Sequence, residues 1–197
     1  MSALTVEHQP QYGSGWDGLV RLWEESDGPE GSRVEIIEGI VTVSPPPDGM
    51  HNDIADELAE RLYAVKPKEW GIYQTLGVAV PSREGLYVPD LVVAPKQLVR
   101  SEPLGYLPAA ASELIVEITS KSNAVHDRIS KPAGYARAGV PFYLLIDRWA
   151  PVEPTVTLFG DPQNDVYRPL STVKFGEPFH LPEPFDLTIE TAAFSPD

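Results

Sequence analysis

Three features of the 197-residue chain predict a mixed α/β fold. They are a strand–helix–strand unit at Leu114–Asp147, an amphipathic helix ending near Val65, and short apolar runs punctuated by proline and glycine. The unit reads LIVEITSKSNAVHDRISKPAGYARAGVPFYLLID. Its first apolar run (Leu114, Ile115, Val116, Ile118) carries one acid, Glu117, and its second, Phe142 to Ile146, ends in Asp147. A helix around Lys131 and Tyr135 makes the crossover of a βαβ unit. Because Pro132 is tolerated only in a first turn, this helix is expected to begin near Ser130, a good N-cap. A carboxylate in a buried strand costs several kcal/mol unless it is paired or metal-bound. Glu117 is therefore the first residue that needs an explanation.

The other elements follow in order. Apolar positions 16, 19, 20, 22 and 23 give Trp16–Glu25 a helical spacing. VEII and IVTV, within Arg33–Ser44, read as two strands joined at Glu38-Gly39, a hairpin signal. SPPPDG interrupts regular structure. Asp48 or Asn52 then caps a helix through Val65, with Ile54, Leu58, Leu62 and Val65 on one face. A strand is expected at Ile72–Val80, a turn at Pro81–Gly85, and a second strand at Tyr87–Ala94 that contains Pro89-Asp90. Beyond residue 150, short strands are expected at Thr155–Phe159, Val166–Leu170 and Phe185–Ile189. The length suits one compact domain over 1–197.

Composition narrows the function classes. There is no run of about eighteen apolar residues, so no membrane-spanning helix is expected. The first residues lack a basic start and an apolar core, so no secretory signal is expected. The absence of cysteine excludes disulfides and thiolate metal sites, and fits a reducing cytoplasm. A net charge of −14 argues against a general polyanion binder. Its distribution is uneven, however. Residues 1–60 are net −11 and 149–197 net −6, whereas 61–116 are +1 and 117–148 are +2. Screening over roughly 8 Å lets local charge decide, so nucleic-acid contacts are expected within 61–148 rather than at the acidic ends.

Asp90 precedes LVVA and Glu117 lies in LIVEI, 27 positions later. Two acids on adjacent strands would repel unless a cation held both, and oxygen-only donors suit Mg²⁺ or Mn²⁺. Such an ion activates water at a phosphate, and a lysine such as Lys131 offsets the developing charge. The plainer alternative has Asp90 in a turn, Glu117 paired in the core and Lys131 solvated, because such triplets are common.

The residues also resemble a known family, from about Val34 to Asp147. The blocks are Val34-Glu35-Ile36-Ile37-Glu38-Gly39; Ser44-Pro45-Pro46 with His51; Val88-Pro89-Asp90-Leu91; and Val116-Glu117-Ile118 followed by Ser120, Ser122, Asp127, Lys131 and Tyr135. Gly139-Val140-Pro141, Tyr143 and Asp147 complete the series. In this order and spacing the chain resembles the Uma2 family, classed as bacterial endonucleases of the PD-(D/E)XK superfamily.

The resemblance implies a restriction-endonuclease-like core over about 33–148, a central mixed β-sheet flanked by helices. An N-terminal helix and a β-rich C-terminal extension would pack on that core. It implies Asp90 and Glu117 as metal ligands, Lys131 as the catalytic cation, and Glu35, His51 and Tyr135 as supporting residues. It also implies Mg²⁺ (Mn²⁺ as a substitute), DNA as substrate, and a homodimer as one way to cut two strands. The superfamily's lysine normally follows the second acid by two positions, where this chain has Thr119, so Lys131 supplies it with Lys121 as the rival. A module that keeps the fold but only binds nucleic acid or a protein partner is the alternative.

Overall fold

A computed structural model describes residues 4–6 and 15–194. It has the expected mixed α/β architecture, arranged as two six-stranded sheets with helices on their faces. The first sheet has the order β1-β3-β2-β6-β5-β8, with β1 at Leu4–Val6, β2 at Arg33–Ile37 and β3 at Ile40–Ser44. Its other strands are β5 (Gly77–Val80), β6 (Gly85–Tyr87) and β8 (Tyr106–Pro108). The second sheet has the order β12-β11-β10-β9-β7-β4. These strands are β4 (Trp70–Tyr73), β7 (Leu91–Pro95), β9 (Leu114–Ile118), β10 (Phe142–Asp147), β11 (Thr155–Gln163) and β12 (Val166–Lys174). A small hairpin of β13 (Pro178–Leu181) and β14 (Leu187–Glu190) completes the strands among the described residues.

The β2–β3 hairpin turns where expected. Glu38 and Gly39 both have positive φ, the conformation that lets a two-residue turn follow the strand twist. Helix α1 (Trp16–Glu24) lays Leu19 and Leu22 on the outer face of the first sheet, against Ile36, Val41 and Leu86. Helix α2 (Gly49–Val65) is capped by Asp48, whose side chain accepts the His51 N–H. Its Ile54, Leu58 and Leu62 cover one face of the second sheet together with the β13–β14 hairpin. The opposite face of that sheet meets the first sheet and helix α4 (Lys131–Ala138). Gly139, at φ 78, ends α4 in the left-handed conformation.

Five expectations need correction. The run Ile72–Val80 is not one strand: it breaks at Thr75, which has positive φ, and passes from the second sheet to the first. Tyr87–Ala94 is likewise two strands, because Pro89 cannot donate to a ladder and residues 88–90 leave the sheet. The loop before β9 contains a short helix, α3 (Lys96–Ser101), as well as β8. Crossover helix α4 does begin beside Ser130, at Lys131, but helical backbone already precedes it and Ser130 is itself helical rather than in a cap conformation. A π-helical turn, His126–Ser130, precedes α4, and the Ser130 side chain makes no cap bond. Lys131 N–H bonds five residues back to His126 O, so the widened turn accommodates a proline that would clash in a regular α-turn. The C-terminal strands β11 and β12 are longer than expected and extend the second sheet, pairing onto β10.

Candidate active site

The register of the second sheet brings the predicted acids together. β9 and β10 are parallel, as the βαβ reading requires, and β7 runs antiparallel to β9 with Leu91 opposite Val116. One residue before that pair Asp90 has left the strand, and its side chain reaches β9 by accepting the Ile118 N–H through Oδ2. Along β9, Leu114, Val116 and Ile118 face the α2 side, so Ile115 and Glu117 face the layer between the sheets. From the other side, β2 turns Ile36 toward α1 and Ile37 toward the interlayer, so Glu35 enters the same space.

A pocket of about 140 Å³ opens here, lined by Arg33, Glu35, His51, Asp90, Glu117, Asp127 and Lys131, with Pro45–Pro47 and Asn123 at its sides. That is room for several ordered waters or for a small anion such as a phosphate group. Lys131 forms the floor. Its Nζ lies 3.0 Å from Glu35 Oε1, 3.2 Å from Glu117 Oε1 and 3.3 Å from Asp127 Oδ1. Burial disfavours the ammonium, but Glu117, Glu35 and Asp127 outweigh it and hold its pKa well above the ordinary value. The Tyr135 O–H donates to Glu117 Oε1 at 2.6 Å, and the Tyr143 O–H donates to Asp127 O at 2.6 Å. Glu35 Oε1 also accepts the Val88 N–H at 2.8 Å.

Asp90 is held by a different set. Its Oδ1 lies 2.5 Å from Arg33 Nη1 and 2.7 Å from His51 Nε2, while Oδ2 accepts the Ile118 N–H at 2.7 Å. Burial opposes its ionisation, yet the His51 bond, Arg33 and the Ile118 N–H hold its pKa below the usual carboxylate value. Glu117 goes the other way. Burial pushes its pKa well up, and the nearby Asp127, Asp90 and Glu35 add to that against Lys131. Burial, with Asp90 and Glu35, pushes Asp127 up to about 6.

All six sequence candidates thus line or touch one pocket, although Tyr135 acts from behind Glu117. Lys121, the rival cation, lies elsewhere: its Nζ stacks 4.4 Å from the Trp149 ring centroid. Two members were not picked out as site residues. Arg33 lies two before Glu35 and so on the same strand face, and Asp127 lies four before Lys131. Both intervals were available as signals.

The charges test whether a divalent cation suits the pocket. Five carboxylates line the pocket; Asp48 pairs with Arg148 at its exposed side, and the other four (Glu35, Asp90, Glu117, Asp127) face two fixed cations, Arg33 and Lys131, leaving a surplus that a doubly charged ion would neutralise. Burial raises the pKa values of Glu117 and Asp127 first, and the neighbouring acids of that surplus add to it. Among the described residues no group of three or more His, Cys, Asp and Glu is placed to hold a metal ion by itself. An open site of one or two carboxylates plus waters is the usual Mg²⁺ arrangement, and the residues fit it.

Comparisons with known proteins agree with the architecture. The model of the Uma2 family, described as "Putative restriction endonuclease", matches residues 20–193. No match was found among curated proteins. A crystal structure from Anabaena variabilis, described as a putative nuclease belonging to DUF820, superposes with a TM-score of 0.63 at 24% identity. The superposition covers 89% of this chain and 96% of that one, a likeness of fold. No helix among the described residues is long and apolar enough to cross a membrane.

Proposed function

The chain belongs to the Uma2 family, and from that premise we propose that it is a metal-dependent endonuclease that hydrolyses phosphodiester bonds of DNA through a PD-(D/E)XK-type site. The observation that carries this reading is the Lys131 ammonium, buried between Glu35, Glu117 and Asp127 in a pocket that also holds Asp90. Asp90 and Glu117 would hold Mg²⁺ or Mn²⁺. The ion would supply Lewis-acid charge at the phosphate and a water made more acidic.

The chain's own residues do the rest. Lys131 is a fixed positive charge that offsets charge developing on the phosphate oxygens, an effect typically worth about 10²–10³ in rate. Glu35 and Asp127 hold that ammonium in place, and the Tyr135 hydroxyl fixes the Glu117 carboxylate. His51 and the Ile118 N–H do the same for Asp90. The small pocket suits a single phosphate entering from a backbone laid across its mouth.

A second reading is a module that binds nucleic acid without cutting it, and the Arg33 guanidinium seated on Asp90 favours it. One experiment separates the two. Plasmid DNA incubated with Mg²⁺ or Mn²⁺ should be nicked or linearised by the wild type and spared by Asp90→Asn and Glu117→Gln. DNA retained in gel shifts, with no cleavage under either ion and no Mn²⁺ bound in calorimetry, would sink the catalytic reading.

A further inference from the structure

Arg33 opens β2, two residues before Glu35, so both side chains enter the pocket. Asp90 is its hydrogen-bond partner among the described residues. Asp90 does not depend on it, because His51 Nε2 already contacts the same Oδ1 and the Ile118 N–H holds Oδ2. Arg33 therefore adds one more cation at the carboxylate that the reading above gives to a metal. The two ends of the pocket also differ in exposure. The Arg33 side chain is 22% exposed and the Lys131 side chain 3%, so Arg33 stands at the solvent side and Lys131 at the floor.

We infer that Arg33 is a positioning residue that exchanges partners: it holds Asp90 while the site lacks a divalent cation, and turns to the substrate phosphate when the cation takes Asp90. The inference rests on the metal-dependent reading. A guanidinium and a dication cannot share one carboxylate oxygen without strong repulsion in a pocket screened from water. Once displaced, Arg33 stays tethered by a strand at the pocket mouth, where a backbone phosphate would enter. Its planar fork matches two phosphate oxygens, which a point charge does not. Metal and phosphate then assist each other, since the metal frees the group that the phosphate uses. By linkage that coupling is reciprocal.

Titration calorimetry with Mn²⁺ alone, without nucleic acid, tests the exchange. Removing the competing guanidinium in Arg33→Gln should tighten Mn²⁺ binding on the order of tenfold while plasmid cleavage falls, since typical couplings lie between about 5- and 150-fold. Arg33→Lys keeps the charge but not the fork. It should bind Mn²⁺ with intermediate affinity, and it decides the matter if Arg33→Gln does not fold. Mn²⁺ affinity unchanged or weakened in the folded variants, with binding abolished in Asp90→Asn, overturns the exchange and leaves the metal reading standing. No Mn²⁺ bound by the wild type or by either variant overturns both.

Discussion

Asp90 and Glu117 are both acids, both at least 97% buried, and line one pocket, yet their carboxyls are driven in opposite directions. Asp90 has a guanidinium, an imidazole and a backbone N–H around it. Glu117 shares one ammonium with two other acids. Burial opposes ionisation at both positions, and the neighbours decide the sign. The Asp90 half is saturated with donors, and the Glu117 half carries the unbalanced charge.

The largest test of this contrast is Lys131→Met. It leaves three buried carboxylates without their shared cation, and breaking a buried pair from one side typically costs about 3–5 kcal/mol. Chemical denaturation should show that loss at pH 8 and a smaller one at pH 5, below the raised pKa of Asp127. Equal stability of the variant and the wild type at pH 8 would mean that the acids are not sharing charge. Cleavage should disappear in the variant.

The next effect is the pH dependence of the metal-free protein. Asp127, ordinarily near 3.8 and here about 6, is protonated more in the folded than in the unfolded state between those values. Stability should therefore fall as pH rises from about 4 to 6, by about 3 kcal/mol from this group, taking 1.36 kcal/mol per pKa unit. Glu117 acts in the same direction. Asp90 has the opposite sign: its contribution is present above about pH 4 and is lost as pH falls through its lowered pKa. Glu117→Gln should flatten the upper limb and spare the acid limb. A steeper upper limb in that variant would break the comparison.

The smallest effect is Tyr135→Phe. It removes the hydroxyl that donates to Glu117 Oε1, a buried hydrogen bond to a charged or partly charged acceptor, typically worth about 1.5–3 kcal/mol. Part of that should be recovered as pH falls and Glu117, whose pKa burial raises, becomes protonated. A loss independent of pH would assign Tyr135 to packing alone, among Tyr87 and Tyr143.

Much of the fold was legible because its signals are local. The β2–β3 turn, the Asp48 cap and the apolar face of α2 are each written within a few residues. The split of Ile72–Val80 between two sheets was not, because both halves are apolar and only the tertiary partner differs. At the site, residue types at strand and helix spacing marked Asp90, Glu117 and Lys131, but not the pairing geometry. Whether Arg33 meets Asp90 depends on a contact 57 positions apart in sequence, and no periodicity encodes it. Lys131 reaches the pocket through a π-turn, a backbone state with no residue signature beyond the proline that follows it.

That turn carries one residue that the site can spare. A π-turn holds one residue more than an α-turn, and each residue of an α-helix advances the side chains by about 100°. Deleting Ile129, which is 65% exposed and lies inside the turn, removes almost no buried surface. The turn would then close to a regular helix with Asp127 three positions before Lys131, a spacing at which helical side chains still face each other. The widened turn thus absorbs one extra residue without taking the acid away from the ammonium.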